Sequence, residues 1–299
     1  MKKVSYILLA LSLMLTFAGC NQKEKKLQQI VLTDEQIIVI RDITTSALDI
    51  DDIIKSTSSY RGDTLVFGIV VDTLSDDNVE RITKGEQRLK KYLLTALCNE
   101  SSQVKELLSQ IAEVPANFKL TYGDNITEEK ISVTLNATEI KDALAKKYKQ
   151  RDVLGNYFEW LSFYESDEEY NVSSRFEKID EKDYIVVEIA ADSALSSIDK
   201  LVNSDIEDAK NNFSIDIDEI IDLDKYKNKI SEKYREEVAN YLKEEYIESG
   251  EMFINKYIAS LMQQANVGSI IRFRDKKSDN IMDIVIESNE LLGEKNSEK

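Results

Sequence analysis

The sequence lacks histidine altogether, and its 299 residues include only one proline, nine glycines and two cysteines. Without imidazole the chain cannot form a Ser-His-Asp or Cys-His nucleophile system, a histidine-ligated metal site or a histidine pH switch. Basic residues are also scarce, since 39 Lys and Arg stand against 56 Asp and Glu, which gives a formal net charge of −17. Nucleic acids and bare anionic lipid surfaces repel such a chain, which argues against both as direct partners.

Signature motifs of catalysis are absent as well. The sequence contains no G-x-S-x-G nucleophile elbow, no Walker glycine loop, no G-x-G-x-x-G fingerprint and no C-x-x-C pair. The lack of histidine does not exclude a carboxylate-dependent hydrolase, because two carboxylates suffice for glycoside hydrolysis. With 56 acidic residues, however, any pair can be proposed and the pattern identifies none. We therefore expect a protein that is not an enzyme and needs no cofactor, with carboxylate-dependent hydrolysis as the alternative.

The first 19 residues have the pattern of a secretory signal peptide. Lys2 and Lys3 form a basic start, and residues 7–17 form an apolar stretch. The small residues Ala18 and Gly19 follow, as is usual before a cleavage site. The apolar stretch is shorter than the roughly 20 residues that a membrane-spanning helix needs. The pattern predicts that this segment directs export and is then removed.

Residues 15–20 resemble the lipobox of bacterial lipoproteins, where the lipoprotein signal peptidase cuts before a lipid-modified cysteine. The segment begins with Leu15, has Phe17 where leucine is usual, and ends at Cys20. The resemblance implies that Cys20 becomes the first mature residue and carries a diacylglycerol thioether, often with a further acyl chain such as palmitate. Two or three acyl chains anchor a protein stably where a single chain is marginal. The resemblance thus implies a cell-envelope protein anchored to a bacterial membrane and facing the periplasm or the exterior.

The other cysteine has no partner if Cys20 is lipidated. Residues 20–32 then comprise the lipidated cysteine and a polar tether, and Cys98 is left alone. No intramolecular disulfide is possible, although an exported protein would be permitted one. Because Cys98 lies in an apolar helical run, we expect a small buried side chain and not a reactive thiol.

The remaining sequence predicts an α+β fold of antiparallel β-hairpins packed against helices. Strands occur in adjacent pairs and do not alternate singly with helices, which argues against a parallel doubly wound sheet. The four pairs are residues 53–60 with 65–71, 118–122 with 131–135, 172–179 with 184–190, and 269–273 with 282–286.

The order of elements recurs, which indicates two copies of an α-ββ-α(α)-ββ unit. Residues 68–73 resemble residues 188–193, because in both a buried strand runs into an aspartate followed by a hydroxyl residue. Residues 118–122 align in the same way with residues 270–274. We place the first half at residues 33–137, the second half at residues 138–292 and a polar tail at residues 293–299.

The densest acidic stretch supplies candidate metal ligands. Its four candidate carboxylates belong to Asp216, Asp218, Asp222 and Asp224. Hard cations take six to eight oxygen ligands that converge on one point, and an EF-hand-like loop also needs a glycine that this stretch lacks. The alternative is a solvated acidic edge, which is the usual role of a charge run.

An aromatic run at residues 157–164 contains the one tryptophan. On a helix, Tyr157, Trp160 and Tyr164 share one face. If that face is exposed, it is a candidate surface for docking a protein partner, since Trp and Tyr dominate binding hot spots. If it is buried, these residues belong to a helix held between the two halves.

Together these features predict a non-catalytic, lipid-anchored envelope protein that acts by binding another protein. The lipid on Cys20 supplies the contact with the membrane, and no nucleic acid is expected as a partner. The alternative is a protein that binds a small ligand or a cation in a site between its two halves, which is a common location for pockets.

Overall fold

The structure is a computed structural model, and it describes residues 26–48, 53–127, 129–192, 194–195, 200, 203–204, 223–249, 254–278 and 280–291. Contacts divide the chain into two compact units, Met1–Trp160 and Leu161–Lys299. The division falls within a helix, Gln150–Glu165, whereas the sequence analysis placed the boundary between the halves at residues 137–138.

The elements follow the order expected for two similar halves. In chain order the first unit contains α1 (Asp34–Ser46), β1 (Ile53–Arg61), β2 (Thr64–Val71), α2 (Asp76–Asn99), α3 (Ser102–Glu113), β3 (Asn117–Asp124), β4 (Ile131–Leu135), α4 (Ala137–Leu144) and α5 (Gln150–Glu165), the last of which continues past the division. The second unit contains β5 (Asn171–Ile179), β6 (Lys182–Ala191), α6 (Leu223–Ser249), α7 (Lys256–Ala265), β7 (Val267–Asp275) and β8 (Ile281–Ile286).

Side-chain caps fix the beginnings of several helices. The Thr33 hydroxyl accepts a hydrogen bond from the Gln36 backbone N–H, and the Gln36 side chain accepts one from the Thr33 N–H. This capping box satisfies two backbone donors that helix geometry leaves without partners. The pattern of a hydroxyl residue followed three positions later by glutamine is visible in the sequence at this position. Asn136 and Glu139 form a second such box at the start of α4.

Each unit contains a mixed four-stranded sheet, with strand orders β1-β2-β3-β4 and β5-β6-β7-β8. The outer pairs are antiparallel hairpins, as predicted, and helices pack with them, so the α+β fold is confirmed. The two hairpins of each sheet join through a parallel central pair, β2 with β3 and β6 with β7. Parallel neighbours require a crossover connection, and helices lie in the intervening chain of both units.

The central strands form the core of the first unit. All residues of β2 after Thr64 are buried, because the strand has a neighbour on both sides and helices pack with the sheet. The apolar face of α2 is buried as well, at Ile82, Leu89 and Leu97. Cys98 is buried too, as expected, and burial raises the pKa of its thiol to about 11.

In the second unit, α6 covers alternate residues of the outermost strand. Met282, Ile284 and Ile286 are buried, and the intervening residues of β8 are not. Leu242 of α6 packs against both buried clusters to which these side chains belong, and Val238 packs against the cluster that contains Met282. Every second side chain of β8 thus faces α6, and the apolar side chains of α6 that face the strand recur every three to four residues.

No helix in the described part of the chain combines the length and the apolar character that crossing a bilayer would require.

Trp160 anchors helix α5 within the first unit. Its side chain is fully buried, and its indole N–H donates a 2.6 Å hydrogen bond to the backbone carbonyl of Ala47. Tyr157, on the same helix, meets Tyr92 edge to face with ring centroids 5.3 Å apart. A buried indole needs such an acceptor, because an unpaired donor in the core costs free energy.

We expect Trp160→Phe to lower the free energy of unfolding by about 1–3 kcal/mol, because the buried Ala47 carbonyl loses its donor and the smaller ring leaves space. Urea unfolding followed by circular dichroism measures this loss. The exposed aromatic Tyr170 is the matched control, and Tyr170→Phe should change stability by less than about 0.5 kcal/mol.

In the native chain the Trp160 emission should be blue-shifted and resistant to acrylamide. A red-shifted, readily quenched emission would contradict this placement of the side chain.

Candidate functional site

The aromatic face proposed for docking lies inside the protein. Tyr157, Trp160 and Tyr164 are 2%, 0% and 8% exposed. The docking interpretation required these rings to be accessible to a partner, so it is wrong for this face. The physical reason is that the rings are already used in packing, as the contact of Tyr157 with Phe158 (ring centroids 5.0 Å apart) also illustrates.

Of the four candidate metal ligands, the structure describes the backbone of one. Asp216, Asp218 and Asp222 lie outside the described residues, and Asp224 is the second residue of α6, where its side chain is not described. Among the described residues, no group of three or more Asp, Glu or Cys side chains is placed to hold a metal ion. Cys20, the predicted lipidation site, also lies outside the described residues.

A pair of buried aspartates occupies the same position in the two sheets. Asp124 ends β3 opposite Val71, and Asp275 ends β7 opposite Ala191. Each carboxylate folds back on the following turn. Asp124 accepts hydrogen bonds from the N–H groups of Ile126 and Thr127, at 3.0 and 2.9 Å. These carboxylates close the turn after the strand, which is a structural role.

The turn of the second sheet repeats this arrangement. Asp275 accepts hydrogen bonds from the N–H groups of Lys277 and Ser278, at 2.8 and 3.1 Å. Burial alone would raise the pKa of Asp275, but these hydrogen bonds outweigh it and hold the pKa below its usual value. Asp124 gains a further partner, since its Oδ2 lies 2.6 Å from the Lys130 ammonium. The hydrogen bond from Lys130 is the main reason that the pKa of Asp124 is lowered to about 2.

A groove runs along the outer side of β8 in the second unit. Its volume is about 490 Å³. One wall is the edge strand itself, at residues 281–285. The other wall is a single side of α6, formed by Glu232, Arg235, Glu236, Ala239, Asn240 and Lys243. This side of the helix adjoins the side that packs on Met282 and Ile284, so the helix stands beside the strand edge.

The strand that forms this wall has a free edge. Among the described residues β8 pairs with β7 alone, so alternate residues direct backbone N–H and C=O groups outward. Natural edge strands are commonly protected by lysine, proline or a bulge, and the β8 sequence has neither of these residues. Its one charged residue, Asp283, is held by Arg272 through two hydrogen bonds of 2.8 and 2.7 Å. Among the described residues, the edge therefore offers a row of backbone hydrogen-bonding groups without a strand partner.

Two large apolar side chains of this strand reach solvent. Ile281 and Val285 are 37% and 39% exposed, and they lie on the sheet face opposite to α6. An isolated exposed apolar residue is ordinary on a protein surface. Here the two residues flank the same free backbone edge, so a strand laid beside β8 would cover both.

The charges that line the groove are unevenly paired. Lys243 forms a 2.9 Å ion pair with Glu290. Glu232 and Glu236, one helical turn apart, are exposed and form no ion pair with any residue that the structure describes. Nε of Arg235 is buried and has no hydrogen-bond partner among the described residues. The groove therefore presents two carboxylates that have no ion-pair partner among the described residues, beside a guanidinium whose Nε is buried.

No protein-family model, no curated protein and no solved structure matches the chain.

The groove residues were not singled out from the sequence, although part of the signal was present. The strand is among those that the sequence predicts, at residues 282–286. The strand's lack of lysine and proline was the available sign of an unprotected edge. That β8 is an outermost strand depends on the pairing of β6 with β7, which no local pattern encodes.

We expect the unfolding free energy to fall as pH drops from about 4 to about 2, in part because Asp124 must then be protonated. Its folded pKa is depressed, so its contribution is complete above the ordinary value near 3.8 and is lost as pH passes about 2. Asp124→Asn should remove part of this acid sensitivity, while Asp275 and the other carboxylates with a lowered pKa, such as Glu129 and Glu287, keep the remainder. Urea unfolding at half-unit pH steps measures the slope. The matched control Glu168→Gln, which removes an exposed carboxylate, should leave the slope unchanged; an equal slope for Asp124→Asn and the native chain contradicts the assignment.

Proposed function

We propose that this chain is a non-catalytic lipoprotein of the cell envelope that binds another protein. The single observation that carries the binding role is the groove beside β8, where a free strand edge, exposed apolar side chains and uncompensated charges lie together. Exposed features of this kind in one place are characteristic of interaction surfaces. The lipobox resemblance of residues 15–20 supplies the location.

Anchoring supports a binding role in a simple physical way. A protein held at a membrane by a lipid meets membrane-associated partners at a raised effective concentration, so a contact of modest affinity is sufficient. The strongly acidic chain also favours partners that carry a basic surface, because complementary charge accelerates encounter. A ligand or cation site stays a second prediction that no observation on the described residues favours.

Lipid anchoring has a direct test in Cys20→Ala. The native chain should incorporate labelled palmitate and sediment with membranes, whereas Cys20→Ala should carry no label and leave the membrane fraction, because the thioether cannot form. Cys98→Ala is the matched control and should retain both the label and the membrane fraction. Labelled Cys20→Ala, or a native chain without label, would contradict lipid anchoring.

Protein binding is tested by crosslinking on intact cells with the tagged native chain. A discrete adduct of reproducible mass is expected. Cys20→Ala should form less of it, because the contact loses the gain in effective concentration. The absence of any adduct across several growth conditions and crosslinker lengths would contradict a protein-binding function.

A further inference from the structure

We propose that the groove beside β8 binds an extended, basic segment of a partner protein, which joins the second sheet as an additional strand. This inference rests on the proposed function, because it takes the partner to be a protein, and it specifies the mode of binding. Its support comes from three independent features of the groove: its backbone edge, its apolar side chains and its charges.

The backbone edge determines the form of the occupant. The free edge of β8 comprises six residues, about 20 Å of strand, and its outward N–H and C=O groups need partners spaced as in another strand. A neighbouring strand lies about 4.8 Å away. One wall of the groove is the strand and the other is a helix, so an added strand would lie along β8 between them. Strand addition at an exposed edge is a recurring mode of peptide recognition.

The apolar side chains determine the pattern of the occupant. Side chains of an added strand alternate between the two faces of the sheet. On the face opposite to α6 they would lie beside Ile281 and Val285, which are exposed and apolar. Cross-strand pairs of apolar and β-branched residues stabilise such a pairing. The segment therefore carries apolar residues at alternate positions on this face.

The charges determine the chemistry of the other face. Side chains that point toward α6 meet Glu232 and Glu236, whose carboxylates have no ion-pair partner among the described residues. A lysine or arginine of the segment would supply one. A second copy of this chain is a poorer match, because Asp283 is the only charged residue of β8 and would add a further negative charge.

The test uses the full chain in detergent micelles and a fluorescein-labelled peptide, Ser-Lys-Val-Lys-Ile-Lys-Ser, in fluorescence anisotropy. Saturable binding is expected, with at least about tenfold weaker binding for the peptide in which Glu replaces each Lys. Two further peptides are N-methylated, one at the Lys residues and one at the Val and Ile residues. Because a strand at an edge pairs on one side only, one of these two should lose binding and the other should keep it.

Paired charge reversals separate the groove from the general acidity of the chain. Glu232→Lys with Glu236→Lys should weaken binding of the basic peptide at least about tenfold. Glu237→Lys with Glu244→Lys is the matched control, since both carboxylates are exposed on α6 and neither lines the groove. The control pair should change binding by no more than about twofold, which reflects screened long-range attraction. Circular dichroism melting of both pairs verifies that α6 is retained.

Several outcomes overturn the inference. These are the absence of peptide binding up to about 1 mM, equal losses in the two reversal pairs, or equal binding of the two N-methylated peptides. A dimer in sedimentation that Val285→Asp converts to monomer would show that a second copy occupies the edge instead.

The proposed function is tested separately by the cellular crosslinking. An adduct that persists unchanged with Glu232→Lys and Glu236→Lys overturns the groove and preserves the protein-binding function. Peptide binding without any cellular adduct contradicts the protein-binding function.

Discussion

The parallel pairing at the centre of each sheet is the constraint from which the rest of the architecture follows. Because β2 pairs with β3 and β6 with β7 in parallel, each sheet needs a crossover connection, and helices lie in the intervening chain of both. The central strands have a neighbour on each side, and the other strand of each hairpin is an outer strand of its sheet. This order makes β8 an edge strand. In each sheet it also places the carboxyl ends of the two central strands at the same end, where Asp124 closes the turn in the first sheet and Asp275 closes it in the second.

Local patterns in the sequence were enough to locate the four hairpins. The alternation in residues 282–286 and the box at Thr33 and Gln36 are direct consequences of strand and helix geometry, so they can be read without tertiary information. The parallel junctions were not predicted, because the pairing of two hairpins depends on residues far apart in sequence. The aromatic helix was the clearest ambiguity: the same face fits a docking patch or a core, and only the burial of Trp160 decides between them.

The two sheets can be aligned more accurately by their strand pairing than by their sequence similarity. Residues 118–122 align with 270–274 by hydrophobicity, which sets Gly123 against Asp275. In the structure Asp124 and Asp275 share the position, since each ends a central strand, opposite Val71 and Ala191. The one-residue difference would reverse which face each side chain occupies, because strand periodicity is two. The strand pairing and the matching aspartate turns therefore provide the better alignment, and both sheets have the same strand order.

At the groove, ion pairs with neighbouring residues hold Lys243 and Asp283, whereas Glu232 and Glu236 have no ion-pair partner among the described residues. The central claim is that β8 accepts another strand. Amide hydrogen exchange of β8, measured by NMR with and without the basic peptide, tests this most directly. Alternate amides along β8, those that point away from β7, should exchange more slowly when the peptide is present. Unchanged exchange along β8, with slowing confined to helical surfaces elsewhere, would contradict the claim.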